Sequence, residues 1–469
     1  MSNHAGVFGG LLVATGMVAP IPVLAAATPS APVIITEGRV TPGARLEAVV
    51  VLPDVPVSPQ ARNLFSTPVG LCGDKLVVAA VEDGSRFANR LTTVVRLGEP
   101  QDGRWQWQRT VLEERTLPDT WHTQPSVGID SRQHVHVAYN MHNMPWQYGL
   151  SRMPCSIDDF EFRGRPMSDA DLHTAFEENR SPWGDAGAAA IPGNQITYPG
   201  FFNDRNGELY VTYRFAVRPA RTWLERAFGS GIARFDTGTQ QWSAVGGEVP
   251  LTSRDAQPAA ADTASRPFAW EPGWTVYHSR LWFDRNNAMY VTWMWRKEQA
   301  GLDTAHPSFA MRPDPQAPFQ RADGSSYELP IRLSTVGEID AFEPGHAYQA
   351  GTSITTDARG TPLVVLESND KTPRTIVTYD TKAKRWRVAE RSPYGAPSVI
   401  CEDDGTCWAY ASGPRVFRRK NLETRWKLVF EQEGYCDPKP LHVLGVKRRF
   451  LHVTRCDWRT SRVIELVDR

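Results

Sequence analysis

Between residues 126 and 139 the chain reads SVGIDSRQHVHVAY: apolar side chains alternate with small or polar ones, a polar turn intervenes, and the alternation resumes. A period of two marks a β-strand with one face turned to a core, and two such runs around a polar turn predict an antiparallel hairpin. The unit returns as GFFNDRNGELYVTYRFA from 200, RLWFDRNNAMYVTWMWR from 280, SITTDARGTPLVVLESND from 353 and PSVICEDDGTCWAYASG from 397. Looser copies are LCGDKLVVAAVED from 71 and LHVLGVKRRFLHVTRCD from 441. Asp, joined by Gly in DRNG, DARG and EDDG, serves the tight turn. Helical periodicity is nearly absent.

Most copies are followed by further strand-like sequence closing near a Trp, as in GIARFDTGTQQWSAV, TIVTYDTKAKRWRVA and RVFRRKNLETRWKLV. Four strands per unit and seven units predict an all-β fold, a seven-bladed β-propeller with four-stranded antiparallel blades. The C-terminal run TSRVIELVDR is expected to pair with an N-terminal strand within residues 32–51, which closes the ring and removes sheet edges. The turn acids Asp130, Asp204, Asp284, Asp357 and Glu402 stand 74, 80, 73 and 45 residues apart. A plain blade takes about 40 to 50 residues. Blades two to four therefore carry long loop insertions, and loops on a rigid scaffold are where function usually sits.

Ahead of the first unit, MSNHAGVFGGLLVATGMVAPIPVLAAATPSAP is apolar and leads to small residues at Ala25, Ala26 and Ala27. It lacks the Lys or Arg of a usual n-region, and Pro20 and Pro22 break it as a spanning helix. It reads as a cleaved signal peptide over 1–27, leaving 28–469 as a single β-propeller domain, secreted or periplasmic and without membrane attachment. Export permits disulfides. Of six cysteines, Cys401 and Cys407 flank the EDDG turn, and Cys436 and Cys456 are placed to close the last unit. Cys72 and Cys155 read equally well as buried free thiols. No CxxC pair exists, so a zinc ribbon is excluded.

With 52 basic and 52 acidic residues, charge gives no support to a nucleic-acid or membrane-surface partner. Sixteen Trp, 13 Tyr and 19 Phe supply flat faces with polar edges, suited to a core or to carbohydrate. Nucleotide-binding glycine motifs and a serine elbow are missing. The DDG and DRNG segments are hairpin turns before they are calcium loops. No cofactor or metal is assigned, and a structural cation is not identifiable.

Residues equidistant from a hairpin turn face each other. His122 and His142 are each ten residues from Arg132, and Tyr198 and Arg214 are each eight from Asn206. Tyr277 and Arg296 are nearly equidistant from the DRNN turn. Three consecutive blades thus present polar pairs at one end of their inner hairpins, around a central funnel. Asn143 and Trp146, just beyond His142, add an amide and a flat ring that suit a sugar. Singly, each has an ordinary reading: a satisfied strand-end histidine, a Tyr-Pro turn, a surface arginine arm. Their recurrence in register makes them candidates together.

Taken in order, WHTQPSVGIDSRQHVHVAYNMH, ITYPGFFNDRNGELYVTYR and MYVTWMWRKE resemble the BNR-repeat-like, seven-bladed propeller polysaccharide lyases, ulvan lyases in particular. The likeness is clearest over residues 119–300. It implies a catalytic domain that cleaves an anionic, uronate-containing polysaccharide, ulvan-like in its rhamnose and glucuronate, by β-elimination. His122 and Tyr198 match the family's acid/base pair, and His142 and Arg214 match groups near the uronate carboxylate. Tyr277 matches a further family tyrosine, and Asn143, Trp146 and Arg296 are expected to bind substrate. Two departures stand out. After the YR motif the chain inserts YRFAVRPARTWLERAFGSGIARF, whose Arg218, Arg221 and Arg226 should reshape one wall of the cleft. No cysteine stands near His306, so a family-type metal site is not repeated there.

The chemistry explains these residue types. The C5 proton of a uronate is a poor acid while its carboxylate is charged, so a cation or hydrogen-bond donor must offset the charge that develops. Arg binds carboxylate through two parallel bonds and stays charged. A base must reach C5 and an acid must protonate O4; His titrates near neutrality, and Tyr serves where cations lower its pKa. Rivals remain open: an exo-acting rhamnose–glucuronate lyase, a propeller glycoside hydrolase, or a non-catalytic carbohydrate-binding propeller. A hydrolase wants two carboxylates across the bond, and the hairpin ends offer none.

Overall fold

The computed structural model describes residues 38–469 apart from 61–64, 84–89, 117–121, 169, 172–190, 192–193, 218–227, 246–266, 298–304, 342–347, 369–373, 423 and 444–446. The proposed signal peptide and Arg218, Arg221 and Arg226 lie outside the described residues. Seven antiparallel sheets follow one another along the chain as the blades of a propeller. Their inner hairpins begin with Val69–Cys72, Ser126–Ile129, Asn194–Asn203, Trp274–Phe283, Tyr348–Thr356, Ser398–Cys401 and Tyr435–Val443. Every hairpin expected from the alternating pattern is present.

Four blades have four strands; the others depart for local reasons. Blade three gains His142–Met144, which arrives from blade two and pairs along the inner edge of Asn194–Asn203. Blade six gains Arg39–Val40 on its outer edge. Blade four has three full strands, and isolated bridges at Gln320 stand in for the fourth. The ring closes where Leu46–Pro56 pairs with Thr460–Asp468, from Leu46 opposite Asp468 to Pro56 opposite Thr460.

The recurring turn acid is a backbone cap. Asp130 Oδ1 accepts from the amides of Arg132 and His134 at 2.9 and 2.8 Å, and Asp204 repeats this with Asn206 and Glu208. Asp284 and Asp357 do the same in the next two blades. One short carboxylate thus satisfies two amides that a tight turn would leave unpaired. Gly207, Gly360 and Gly405 take the left-handed position of their turns, which costs glycine little.

The core is circular, with one buried apolar cluster at each of the seven junctions between neighbouring blades. Strand periodicity produces this directly: Val211 and Tyr213 point toward blade two, whereas Tyr210, next to Val211, points toward blade four. All three disulfides form: Cys401–Cys407 across its turn, Cys436–Cys456 across the last hairpin, and Cys72–Cys155 between blades one and two. The free-thiol alternative for Cys72 and Cys155 is thereby corrected; their partner lies 83 residues away, beyond what local spacing shows.

Blades six and seven are also clasped by a buried ion pair. Arg449 donates to both Glu402 oxygens at 2.5 and 2.9 Å, and the Tyr410 hydroxyl meets His442 Nε2. Burial alone raises the Glu402 carboxyl, but hydrogen bonds from His442 and Arg449 outweigh it and hold it at about 2. Burial pushes His442 down, toward its neutral form, which leaves Arg449 as the charge that matters. A carboxyl held below its unfolded value contributes stability above about pH 4.5, and loses it as pH falls toward 2. Glu402→Gln should therefore cost about 3 kcal/mol at pH 7 and little at pH 2.5, measured as urea-unfolding midpoints at the two pH values. An equal cost at both would show that the charge of Glu402 is irrelevant.

Candidate active site

Each inner strand runs from one rim of the ring to the Asp-turn rim. At the Asp-turn rim, Arg205 of blade three donates to Asp403 of blade six at 2.9 and 3.0 Å and to the Phe283 and Asp284 carbonyls. These bonds tie one turn to another across the axis. A central cavity of about 980 Å³ lies above them, reaching Tyr277 and Arg296 near the other rim. The connections between blades, including the inserted segments after Phe162 and Ala244, leave from this second rim.

The four residues expected to do chemistry meet there. The His122 and His142 rings lie 4.4 Å apart between centres, and Tyr198 is 5.7 Å from His122 and 6.2 Å from His142. The Arg214 guanidinium carbon sits 5.0 Å from the Tyr198 ring centre and 4.8 Å from that of Tyr277. Tyr198 and Tyr277 are 6.1 Å apart, and Arg296 lies 5.8 Å from the Tyr277 ring. Two imidazoles, two phenols and two guanidiniums thus occupy a space the size of one or two sugar units.

Local backbone places these groups. The hairpin of blade two ends at Ser126 opposite Ala138; beyond it His142 joins blade three opposite Thr197, and the His122 and His142 rings still meet as the mirrored count expects. In blade three the count slips by one. A bulge between Thr197 and Gly200 puts Thr197, not Tyr198, opposite Arg214. Blade four has a similar bulge, and Arg296 faces Thr275 while Tyr277 faces Met294. The bulge rotates Tyr198 out of the ladder into a left-handed backbone at φ 58°; His122, Asn140 and Asn143 share that region at 73°, 52° and 58°. Left-handed backbone costs a non-glycine residue roughly 1–3 kcal/mol and gathers at functional sites.

Arg214 is only 6% exposed, and its partners are neutral. Its Nη2 donates to Asn143 Oδ1 at 3.0 Å and to Thr197 Oγ1 at 3.3 Å, and Thr197 Oγ1 itself donates to Asn143 Oδ1 at 2.9 Å. The Asn143 backbone N–H closes the loop, donating to Thr197 Oγ1 at 2.9 Å. Among the described residues no carboxylate comes within ion-pair distance of Arg214 or Arg296, and Nε of each is buried without a hydrogen-bond partner. A desolvated guanidinium without a counter-anion is a site for an anionic ligand.

Asn143 and Trp146 are not where substrate contact requires. Asn143 stands behind Arg214 and orients it. Trp146 is fully buried and meets the Tyr213 ring edge-on at 5.1 Å in the core between blades two and three. The chain turns inward after His142 to reach blade three, carrying Trp146 away from the cavity. Sequence reasoning missed Thr197, although it adjoins Tyr198. It also missed Phe65, whose ring lies 4.8 Å from Tyr198, and Arg280, which donates to the Phe65 carbonyl at 2.8 Å. Burial lowers Arg280 to about 10, with Asp437 opposing the shift. Lys439 of blade seven reaches Ser66 at 2.7 Å and also Gln124, two residues from His122. Burial lowers the Lys439 ammonium as well, against the pull of Asp437.

Residues 87–423 match the BNR repeat-containing family. No curated protein sequence matches the chain. Among solved structures, the polysaccharide lyase Uly1 superposes with a TM-score of 0.60 at 11% identity, covering 88% of this chain and 91% of that one. A PL25 ulvan lyase gives 0.58 at 11% identity, covering 89% and 95%. The PL25 ulvan lyase bound to -[GlcA(1-4)Rha3S]- gives 0.56, also at 11% identity and over 89% and 95%. At such identity the likeness carries the fold.

The anion requirement can be tested without assuming a reaction. D-glucuronate at ten times its dissociation constant should stabilise the protein by about 1.4 kcal/mol, read as a rise in melting temperature. Arg214→Gln should abolish the rise. A variant that responds like the parent would place the carboxylate elsewhere.

Proposed function

The chain belongs to the BNR repeat-containing family, and from that membership and the site we propose that it is an exported polysaccharide lyase acting on a uronate-containing, ulvan-like polymer of rhamnose and glucuronate. One observation carries the reading: two imidazoles, a phenol and a buried guanidinium lacking a carboxylate partner among the described residues converge within 6.2 Å steps. Such a set fits an acid/base reaction on a sugar that brings its own carboxylate. The propeller shared with the ulvan lyases supports it at the level of the fold.

In this mechanism Arg214 and His142 bind the uronate carboxylate and offset the charge that spreads into it as the C5 proton leaves. Tyr198 and His122 share the remaining work. One takes the C5 proton, the C4–O4 bond breaks as the C4–C5 double bond forms, and the other protonates O4. The products are a new reducing end on the fragment that leaves with O4 and an unsaturated uronyl residue at the non-reducing end of the other fragment. Thr197 and Asn143 act indirectly, holding Arg214 against the Tyr198 and Tyr277 rings. Export agrees with the apolar leader over 1–27 and with three disulfides, which persist in oxidising compartments.

A screen of ulvan, glycosaminoglycans and rhamnose–glucuronate gums, followed by ultraviolet absorbance of the unsaturated product, tests the reaction class. Tyr198→Phe and His122→Asn should each lower turnover by about a hundred to ten thousandfold. Undiminished turnover in either variant removes that residue from the mechanism. Saturated products would favour hydrolysis, and the absence of any product a binding protein.

A further inference from the structure

The connection from blade five to blade six ends on the same rim as His122 and Tyr198, because it feeds the start of an inner strand. There Tyr394 is 73% exposed, in a chain whose aromatic side chains are mostly buried. Its turn is tightly built. The Ser392 amide donates to the Arg374 carbonyl at 2.7 Å, and the Ser392 hydroxyl donates to the Ala396 carbonyl at 2.7 Å. Arg374 Nη1 donates to the Gly395 carbonyl at 2.6 Å. Tyr394 itself is held in the left-handed region at φ 49°. An exposed ring fixed at a backbone cost of this kind needs a reason beyond folding.

The ring is also braced from one side. Phe417 stacks on it at 5.1 Å and an interplanar angle of 15°, and the Arg415 guanidinium carbon lies 5.3 Å from its centre. Arg415 and Phe417 are two apart on one strand and share a sheet face, so both lie against the same side of Tyr394. The opposite side is therefore the source of the exposure. Arg391, at the end of the last strand of blade five, reaches the same rim. Among the described residues neither Arg391 nor Arg415 has a carboxylate within ion-pair distance. The cavity that Tyr277 and Arg296 line continues to Arg374, Pro397, Ser398 and Ser412, which flank this turn.

We infer that the Pro393–Gly395 turn is a distal subsite for the same polymer, with Tyr394 stacking on a pyranose ring and Arg415 and Arg391 pairing with the carboxylate or sulfate of that unit or its neighbour. The inference rests on the reading of the chain as an enzyme of acidic polysaccharides. A flat aromatic face suits the axial C–H edge of a sugar, and rim arginines add long-range attraction for a polyanion. The subsite lies across the cavity from the reacting groups, so it would engage long chains and not the shortest cleavable ones. It would act on binding and leave the bond-breaking step untouched.

The test compares the best-cleaved polymer of the screen with the shortest oligosaccharide that is still cleaved. Tyr394→Ala and Arg415→Gln should each raise KM for the polymer about five- to tenfold, with kcat and the oligosaccharide KM within about twofold. The Arg415→Gln effect should shrink with added salt. Equal polymer KM for the parent and both variants overturns the subsite and leaves the lyase reading standing. If the parent cleaves nothing in the screen, calorimetric binding of the same polymers decides. Weaker binding by Tyr394→Ala keeps the subsite and sinks the enzyme; equal or absent binding sinks the subsite as well.

Discussion

The pairing of Leu46–Pro56 with Thr460–Asp468 joins the two ends of the described chain, and the remaining geometry is conditional on it. Each blade buries both faces against neighbours, so no blade has a complete core alone. The seven apolar clusters form a ring in which every junction needs the next. Opening one junction would expose two sheet faces at once, including large side chains such as Trp408 and Tyr410 beside Ile464. Closure also sets the direction of every inner strand. That common direction gathers the starts of seven strands, and the loops that feed them, around one mouth.

The fold was legible because its rules are local. Period two, a turn acid and a short return strand are each visible within about fifteen residues. The Asp204 cap, bonding amides two and four positions on, explains why the acid recurs even where the strands diverge. The site was legible only in part. His122 and His142 meet as the hairpin count expects, although His142 has by then left the blade-two ladder for blade three. Tyr198 and Arg296 miss their counted partners because a bulge adds a residue on one strand, which alternation cannot reveal. Trp146 has the composition of a sugar platform and the location of a core residue; sequence does not separate the two. Phe65, Arg280 and Lys439 come to the site across the ring, from separations of more than two hundred residues between Phe65 and Arg280, and no local pattern encodes that.

The bulge that spoils the register is what makes Tyr198 useful. In a regular ladder its side chain would point to a neighbouring blade, where tyrosines such as Tyr213 are sealed and burial pushes the phenol far above its usual range. Turned out at φ 58°, Tyr198 instead shares space with His122, His142 and Arg214. Several left-handed residues concentrated here, at roughly 1–3 kcal/mol each, are sustained by well-packed junctions on either side. Strain and scaffold are therefore complementary: the ring supplies the stability that lets the mouth hold unfavourable conformations.

Charge follows the same division. Away from the mouth, buried cations have acids: Arg449 has Glu402, and Arg462 has Asp54 at 2.7 Å. At the mouth, Arg214 has two neutral oxygens, which orient it without cancelling its charge. A carboxylate in that place would complete a comfortable ion pair and leave nothing for a ligand. Asn143 and Thr197 are close in size to such a carboxylate but uncharged, so the desolvation cost of several kcal/mol is only partly offset in the protein alone. An incoming carboxylate that accepts two parallel hydrogen bonds recovers the remainder. In the proposed reaction the recovery would grow as negative charge accumulates on that group, so the same arginine would favour the state after proton loss over the state before it.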